Sequence, residues 1–175
     1  TICLEGERLY EQADAGAEQK ELVLNDSRIY SFDWGRVQME SPMLMVCRKG
    51  DSAEVLWKLK LSAYLYTEVE EVGERLFFGT AGKGGRFYCV NSASGRIIYE
   101  IVTEGTAYYA AHEDDLYLKN RLGYLTKISR NTGEVIETAK GKKMNDYSPV
   151  GIIDGHLYTI VHDRDQQAFV VCYEL

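Results

Sequence analysis

One five-residue pattern recurs four times along this chain: a small residue, a charged residue, two further residues, then an anchor. It reads Gly6-Glu7-Arg8-Leu9-Tyr10, Ala53-Glu54-Val55-Leu56-Trp57, Gly95-Arg96-Ile97-Ile98-Tyr99 and Gly133-Glu134-Val135-Ile136-Glu137. The anchors at 10, 57, 99 and 137 lie 47, 42 and 38 residues apart. A second marker, a polar turn followed by Leu or Ile and an aromatic, keeps nearly the same period. It reads Asp26-Ser27-Arg28-Ile29-Tyr30, Gly73-Glu74-Arg75-Leu76-Phe77, Glu113-Asp114-Asp115-Leu116-Tyr117 and Asp154-Gly155-His156-Leu157-Tyr158, with steps of 47, 40 and 41 residues. Two markers sharing a period of about 40 predict a repeat architecture before any local structure is considered.

Within one unit the strands can be placed. Tyr64 to Val69 reads as a first strand. Leu76-Phe77-Phe78 is a second, apolar throughout as a strand covered on both faces should be. Gly79 to Gly85 reads as a loop, and Arg86 to Val90 as a third strand. Asn91-Ser92-Ala93-Ser94-Gly95 is a turn, and Arg96 to Ile101 a fourth strand. Four short antiparallel strands per unit make a propeller blade. The 13 Tyr, 16 Gly and only 2 Pro agree with many short strands joined by tight turns. No convincing helix is apparent; Ala15 to Val23 has helical composition apart from Gly16 and allows at most a short helical turn. The expected fold is an all-β propeller of about four blades, with residues 1–175 forming a single domain or a propeller fragment.

The two turns together resemble the repeat of pyrroloquinoline-quinone-type β-propellers. The nearest copies of its second turn are Ala93-Ser94-Gly95-Arg96-Ile97-Ile98-Tyr99 and Asn131-Thr132-Gly133-Glu134-Val135-Ile136. The resemblance covers nearly the whole chain. It implies an architecture and not an activity, because the repeat serves enzymes, assembly factors and binding scaffolds alike. Only Trp57 keeps the family's docking tryptophan; Tyr10, Tyr99 and Glu137 stand at the other anchors. The family also usually has more blades than this chain supplies.

The ends carry a further expectation. Thr1 to Gln12 match the end of a unit, and Pro149 to Leu175 match its beginning. Aligning Cys172 with Cys89 sets Leu175 opposite Ser92, and aligning Gly6 with Gly95 sets Thr1 opposite Val90. The strand carrying Tyr10 is therefore expected to pair beside the strand containing Cys172, closing the ring and removing an exposed edge. A lone four-bladed ring, a homodimer sharing strands in one ring, and a segment of a longer propeller are the three arrangements this leaves.

Candidate sites are sparse. The second-to-third-strand loops and their edges carry Arg36, Lys83, Arg86, Lys119, Arg121 and Arg164, with Lys140, Lys142 and Lys143 after the third unit. The opposite turns carry Asp26, Glu71, Glu74, Glu113, Asp114, Asp115 and Asp154. A basic loop face would receive a protein or a small acidic ligand; solvated turns explain the same residues, since Asp33, Glu40, Asp163 and Asp165 dilute that face. Gly79 to Gly85 lacks the G-x-x-x-x-G-K-[ST] spacing of a phosphate loop and reads as a hairpin loop. His112, His156 and His162 form no zinc pattern, and Asp163-Arg164-Asp165 no calcium loop. Cys47 and Cys89 each fall six residues before a repeat of the five-residue pattern, which marks a buried packing slot. Trp34, Tyr64, Tyr66, Tyr108, Tyr109 and Tyr147 either line a groove for a peptide or glycan or pack between blades, the second preferred for most. Tyr64, Val69, Ala110, Val150 and Ile152 point to a mainly filled centre.

A net charge of −7 argues against generic nucleic-acid binding. No apolar run approaches the roughly 18 residues of a membrane span, and no signal peptide is apparent. Because Thr1 stands where an initiating Met would, an upstream segment is compatible and the missing signal does not settle the compartment; cytoplasmic is slightly favoured over exported. No catalytic residue, cofactor or metal is expected. The reading is a non-catalytic binding or scaffold module. Its rivals are an enzyme or enzyme fragment of quinoprotein type and an acidic, immunity-type inhibitor of a basic partner.

Overall fold

The computed structural model describes residues 2–4, 7–10, 19–24, 27–33, 43–52, 54–82, 84–120, 122–140, 149–162 and 167–175. A hairpin of β1 (Ile2–Leu4) and β2 (Glu7–Tyr10) comes first. Blade I holds β3 (Gln19–Leu24), β4 (Arg28–Asp33), β5 (Leu44–Lys49) and β6 (Val55–Lys60). Blade II holds β7 (Tyr64–Leu65), β8 (Glu70–Val72), β9 (Arg75–Ala81), β10 (Arg86–Asn91) and β11 (Ile97–Val102). Blade III holds β12 (Thr106–His112), β13 (Asp115–Asn120), β14 (Tyr124–Ser129) and β15 (Val135–Lys140). Blade IV holds β16 (Val150–Ile153), β17 (His156–His162) and β18 (Ala168–Glu174). All pairings are antiparallel and no helix occurs among the described residues, so the fold is the expected all-β propeller.

The five-residue pattern has a structural meaning. In every third-to-fourth strand pair the register slips by one residue just before the anchor: Cys47 faces Trp57 but Arg48 faces Val55, and Cys89 faces Tyr99 but Val90 faces Ile97. Lys127 faces Glu137 but Ile128 faces Val135. Leu56, Ile98 and Ile136 are the bulged residues, and all three are exposed. A bulge twists its strand and re-aims the next side chain, here toward the neighbouring blade.

Trp57 leaves blade I and donates its indole N–H to the Ser92 carbonyl of blade II at 2.9 Å. Its ring lies against Gly95, where a Cβ would come within 2.5 Å of it and where φ is +70°. Tyr99 repeats the contact one blade on. Its hydroxyl donates to the Arg130 carbonyl at 2.9 Å, and its ring lies against Gly133, φ +75°, with a Cβ distance of 2.5 Å. The pattern's small residue is thus the floor on which the preceding anchor docks.

Burial follows these contacts. Tyr30, Phe32, Met45, Trp57, Phe78 and Tyr88 lead one cluster between blades I and II. Phe77, Phe87, Cys89, Leu116, Leu118 and Ile128 form another between II and III. Leu76 and Phe78 face the first cluster and Phe77 the second, as the period of two in a strand requires. Each such side chain contributes about 1.5–3 kcal/mol relative to leaving it exposed. Cys47 and Cys89 are fully buried free thiols in equivalent slots, as the sequence predicts.

Three expectations are corrected. Gln19–Leu24 is strand and not helical, because pairing Leu22, Val23 and Leu24 with Ser31, Tyr30 and Ile29 overrides local propensity. The first strand of blade II is split: Tyr66 and Thr67 both donate to the Gly79 carbonyl, at 3.0 and 3.3 Å. Gly79 N–H donates in turn to the Thr67 hydroxyl at 2.6 Å, so a side chain replaces one rung of the ladder. Finally, β2 pairs with β1 and not with β18. Ile2 faces Tyr10 as Cys89 faces Tyr99, so β1 already occupies the third-strand position. That position is β18's own in blade IV, where Tyr158 faces Cys172. The two-residue link between β1 and β2 keeps the loop-closure cost of their pairing small.

Candidate functional site

The innermost strands of blades II, III and IV border a groove of about 630 Å³. Its lining includes Tyr66, Glu68, Val69, Glu70, Tyr108 and Tyr109, with Ala110 and Val150. The interruption between β7 and β8 builds one wall. Thr67 is buried and turned back onto the ladder, its hydroxyl donating to the Glu68 carbonyl at 2.9 Å. The residues around it are correspondingly half-buried or exposed, Glu68 being exposed. Tyr108 and Tyr109 are adjacent on β12 and so point to opposite faces of their sheet.

The aromatic wall is a chain of edge-to-face contacts. The Tyr64 and Tyr66 rings are 6.2 Å apart at 67°, and Tyr66 and Tyr108 are 6.1 Å apart at 74°. Such geometry matches the quadrupoles of the rings. Tyr109 is fixed differently: its hydroxyl donates to the Phe77 carbonyl at 3.1 Å and its ring packs edge-on against Phe87 at 5.1 Å. The Tyr108 hydroxyl makes no hydrogen bond among the described residues. Sequence reasoning preferred packing for most of these aromatics; Tyr109 both packs and borders the groove, and Tyr66 and Tyr108 line it. Of the residues expected to fill the centre, Val69, Ala110 and Val150 border the groove, whereas Tyr64 and Val69 also pack against the first buried cluster. The side chains of Val69, Ala110 and Val150 are short, so they leave volume between the inner strands.

The electrostatics of the groove are negative. Its described lining carries two carboxylates, Glu68 and Glu70, and no basic residue. Burial raises the Tyr109 hydroxyl pKa well above its ordinary value, and the charges of Glu70 and then Glu68 raise it further. Glu70 lies 3.7 Å from Arg130, whose guanidinium sits over the Phe77 ring at 5.2 Å. These carboxylates escaped the sequence analysis because their neighbours in space come from another blade.

Of the six basic candidates, Arg86 and Lys119 are described; Arg36, Lys83, Arg121 and Arg164 lie outside the described residues, as do Lys142, Lys143, Trp34 and Tyr147. Arg86 donates to Glu100 at 2.6 Å. Lys119, expected at a loop edge, lies in β13 with no exposed surface. On the opposite turns Glu71 meets Arg28 at 3.5 Å and Asp115 meets Lys127 at 2.9 Å, so part of that acidity is neutralised. The glycine-rich stretch leads directly into β10, and Ser62 donates to the Gly84 carbonyl at 2.7 Å, which ties it to the blade. Among the described residues no three His, Cys, Asp or Glu side chains converge as a metal site.

No protein-family model matches the sequence, and no curated protein matches it. The fold has many structural neighbours. BamB from Moraxella catarrhalis aligns with a TM-score of 0.60 at 13% identity over 85% of this chain. The computationally designed Ika4 protein aligns at 0.67 and 11% identity, covering 97% of this chain and 99% of Ika4. U3-55K aligns at 0.62 and 13% identity over 93% of this chain. The chain spans 48% of the BamB chain and 53% of the U3-55K chain, about half of each. At these identities the likeness is one of fold, and the fold it supports is that of propeller-repeat proteins.

Proposed function

We propose that this chain is a non-catalytic protein-binding scaffold, built on repeats of the pyrroloquinoline-quinone type, that receives a partner at the groove between its inner strands. The carrying observation is that groove: about 630 Å³ of space walled by Tyr66 and Tyr108, with Tyr109 beside them held by its hydrogen bond to Phe77. Concave sites with aromatic walls and a few placed polar groups are the usual form of a recognition site. The bulged anchors Trp57 and Tyr99 support the scaffold half of the reading, since they lock blade I to blade II and blade II to blade III.

The test is local. A photo-crosslinking phenylalanine analogue in place of Tyr108 is compared in cells with the same analogue in place of Ile98, which is exposed on the outer strand of blade II. A discrete protein adduct from position 108 and a weaker or different one from position 98 is expected. Identical adducts from both positions, or none from position 108, would remove the groove from the reading. A melting-temperature shift on adding calcium with pyrroloquinoline quinone would favour the quinoprotein alternative instead.

A further inference from the structure

We infer that the groove selects a basic side chain of its partner, a guanidinium or an ammonium, seated against the Tyr66 and Tyr108 rings with its charge on Glu68. This rests on the binding-module reading and deepens it.

Three observations converge. The first is charge: the described lining carries two carboxylates and no basic residue, and while Arg130 meets Glu70 at 3.7 Å, Glu68 is exposed with no ion-pair partner among the described residues. An anion entering there would meet like charge, whereas a cation would meet attraction. The second is the aromatic wall, because a cation is drawn to the negative faces of tyrosine rings. The third is an internal precedent. Arg130 already sets a guanidinium over the Phe77 ring while lying 3.7 Å from Glu70. Tyr66, Tyr108 and Glu68 line one groove and supply the same two kinds of group, ring and carboxylate. The overall charge of −7 favours approach of such a partner from a distance.

The probes are four capped pentapeptides, Gly-Gly-Xaa-Gly-Gly with Arg, Lys, Gln or Glu at the centre, titrated into the intact chain and followed by amide chemical shifts. The Arg or Lys peptide should bind at least about 10-fold more tightly than the Gln peptide and perturb Tyr66, Glu68 and Tyr108. Whichever of the two binds better identifies the cation. Glu68→Gln, at an exposed position, should weaken that binding about 5-fold or more, and raising salt from 0.05 to 0.5 M should weaken it as well. Equal binding of the Glu and Arg peptides, no binding of any peptide, or unchanged affinity in Glu68→Gln would overturn the inference. If crosslinking from position 108 persists while the peptides show no preference, the cation inference falls and the binding module stands.

Discussion

The joint between blades I and II and the joint between blades III and IV are made from the same repeat. The first gathers twelve buried residues in one cluster, whereas blade IV has three buried residues among those described, Leu157, Thr159 and Val161. The outer strands show the same gradient: β11 alternates between half-buried and exposed, and β15 is exposed at every position. The anchors change in step, from Trp57 through Tyr99 to Glu137. Opposite the anchor the third strand changes too, from Cys47 and Cys89 to Lys127, which reaches Asp115 and lies 5.6 Å from the Tyr117 ring centroid. An aromatic anchor leaves its own sheet and brings apolar area to the next blade; the Glu137 carboxylate stays exposed to water. Blade-to-blade burial is therefore set largely by one residue per repeat.

The largest test of this comparison is Trp57→Ala against Glu137→Ala. Loss of the buried indole and its hydrogen bond should cost about 3–5 kcal/mol, and loss of the exposed carboxylate no more than about 0.5 kcal/mol. Equal shifts in denaturant midpoint would break the argument that anchor identity sets the joint. A sharper version uses glycines. Gly95 and Gly155 have nearly the same φ, +70° and +73°, but a Cβ meets Trp57 at 2.5 Å in the first and nothing within 4 Å in the second. Gly155→Ala should cost about 1 kcal/mol from backbone conformation alone, and Gly95→Ala about 2–3 kcal/mol more from displacing the ring.

The buried thiols give a pH-dependent test. Burial pushes both Cys47 and Cys89 up to about 11 from an ordinary value of 9.0. The folded state thus holds the proton more tightly than the unfolded state. The associated stability is complete below about pH 9 and is lost as pH rises through about 11. Cys89→Ala should flatten the decline of the urea midpoint between those pH values; an unchanged slope would remove this thiol from the account. The smallest effect is chemical: iodoacetamide at pH 8 should label exposed Cys172 in the native protein and spare Cys47 and Cys89 until it unfolds, as read by peptide mass spectrometry.

Much of this was legible in the residues. The period, the third and fourth strands of blade II, the two-sided burial of Leu76-Phe77-Phe78 and the thiol slots follow from local pattern, whereas β9 runs on to Ala81 through residues read as loop. The split of Tyr64 to Val72 was not legible, because Thr67 satisfies a rung of the ladder from β9 and only the pairing shows it. Of the candidate site, the tyrosines were legible as a set, but not which of them packs and which lines the groove. The basic loop face was drawn from sequence position, and Lys119 shows the limit of that approach: it sits where a loop edge was expected and has no exposed surface.

What the chain alone determined is the repeat, since turn chemistry and strand alternation act over a few residues and recur with the pattern. What only the tertiary structure decided is how repeats meet. The small residue of the pattern is a turn former in the sequence, and it becomes a docking floor only when the preceding blade's anchor arrives. The hairpin β1–β2 reads as the missing strand of blade IV until β1 takes the edge that β18 would need. Glu68 and Glu70 are ordinary carboxylates until blades III and IV bring Tyr108 and Val150 to the same groove. Contacts between residues some 40 positions apart carry these outcomes, and no local propensity reports them.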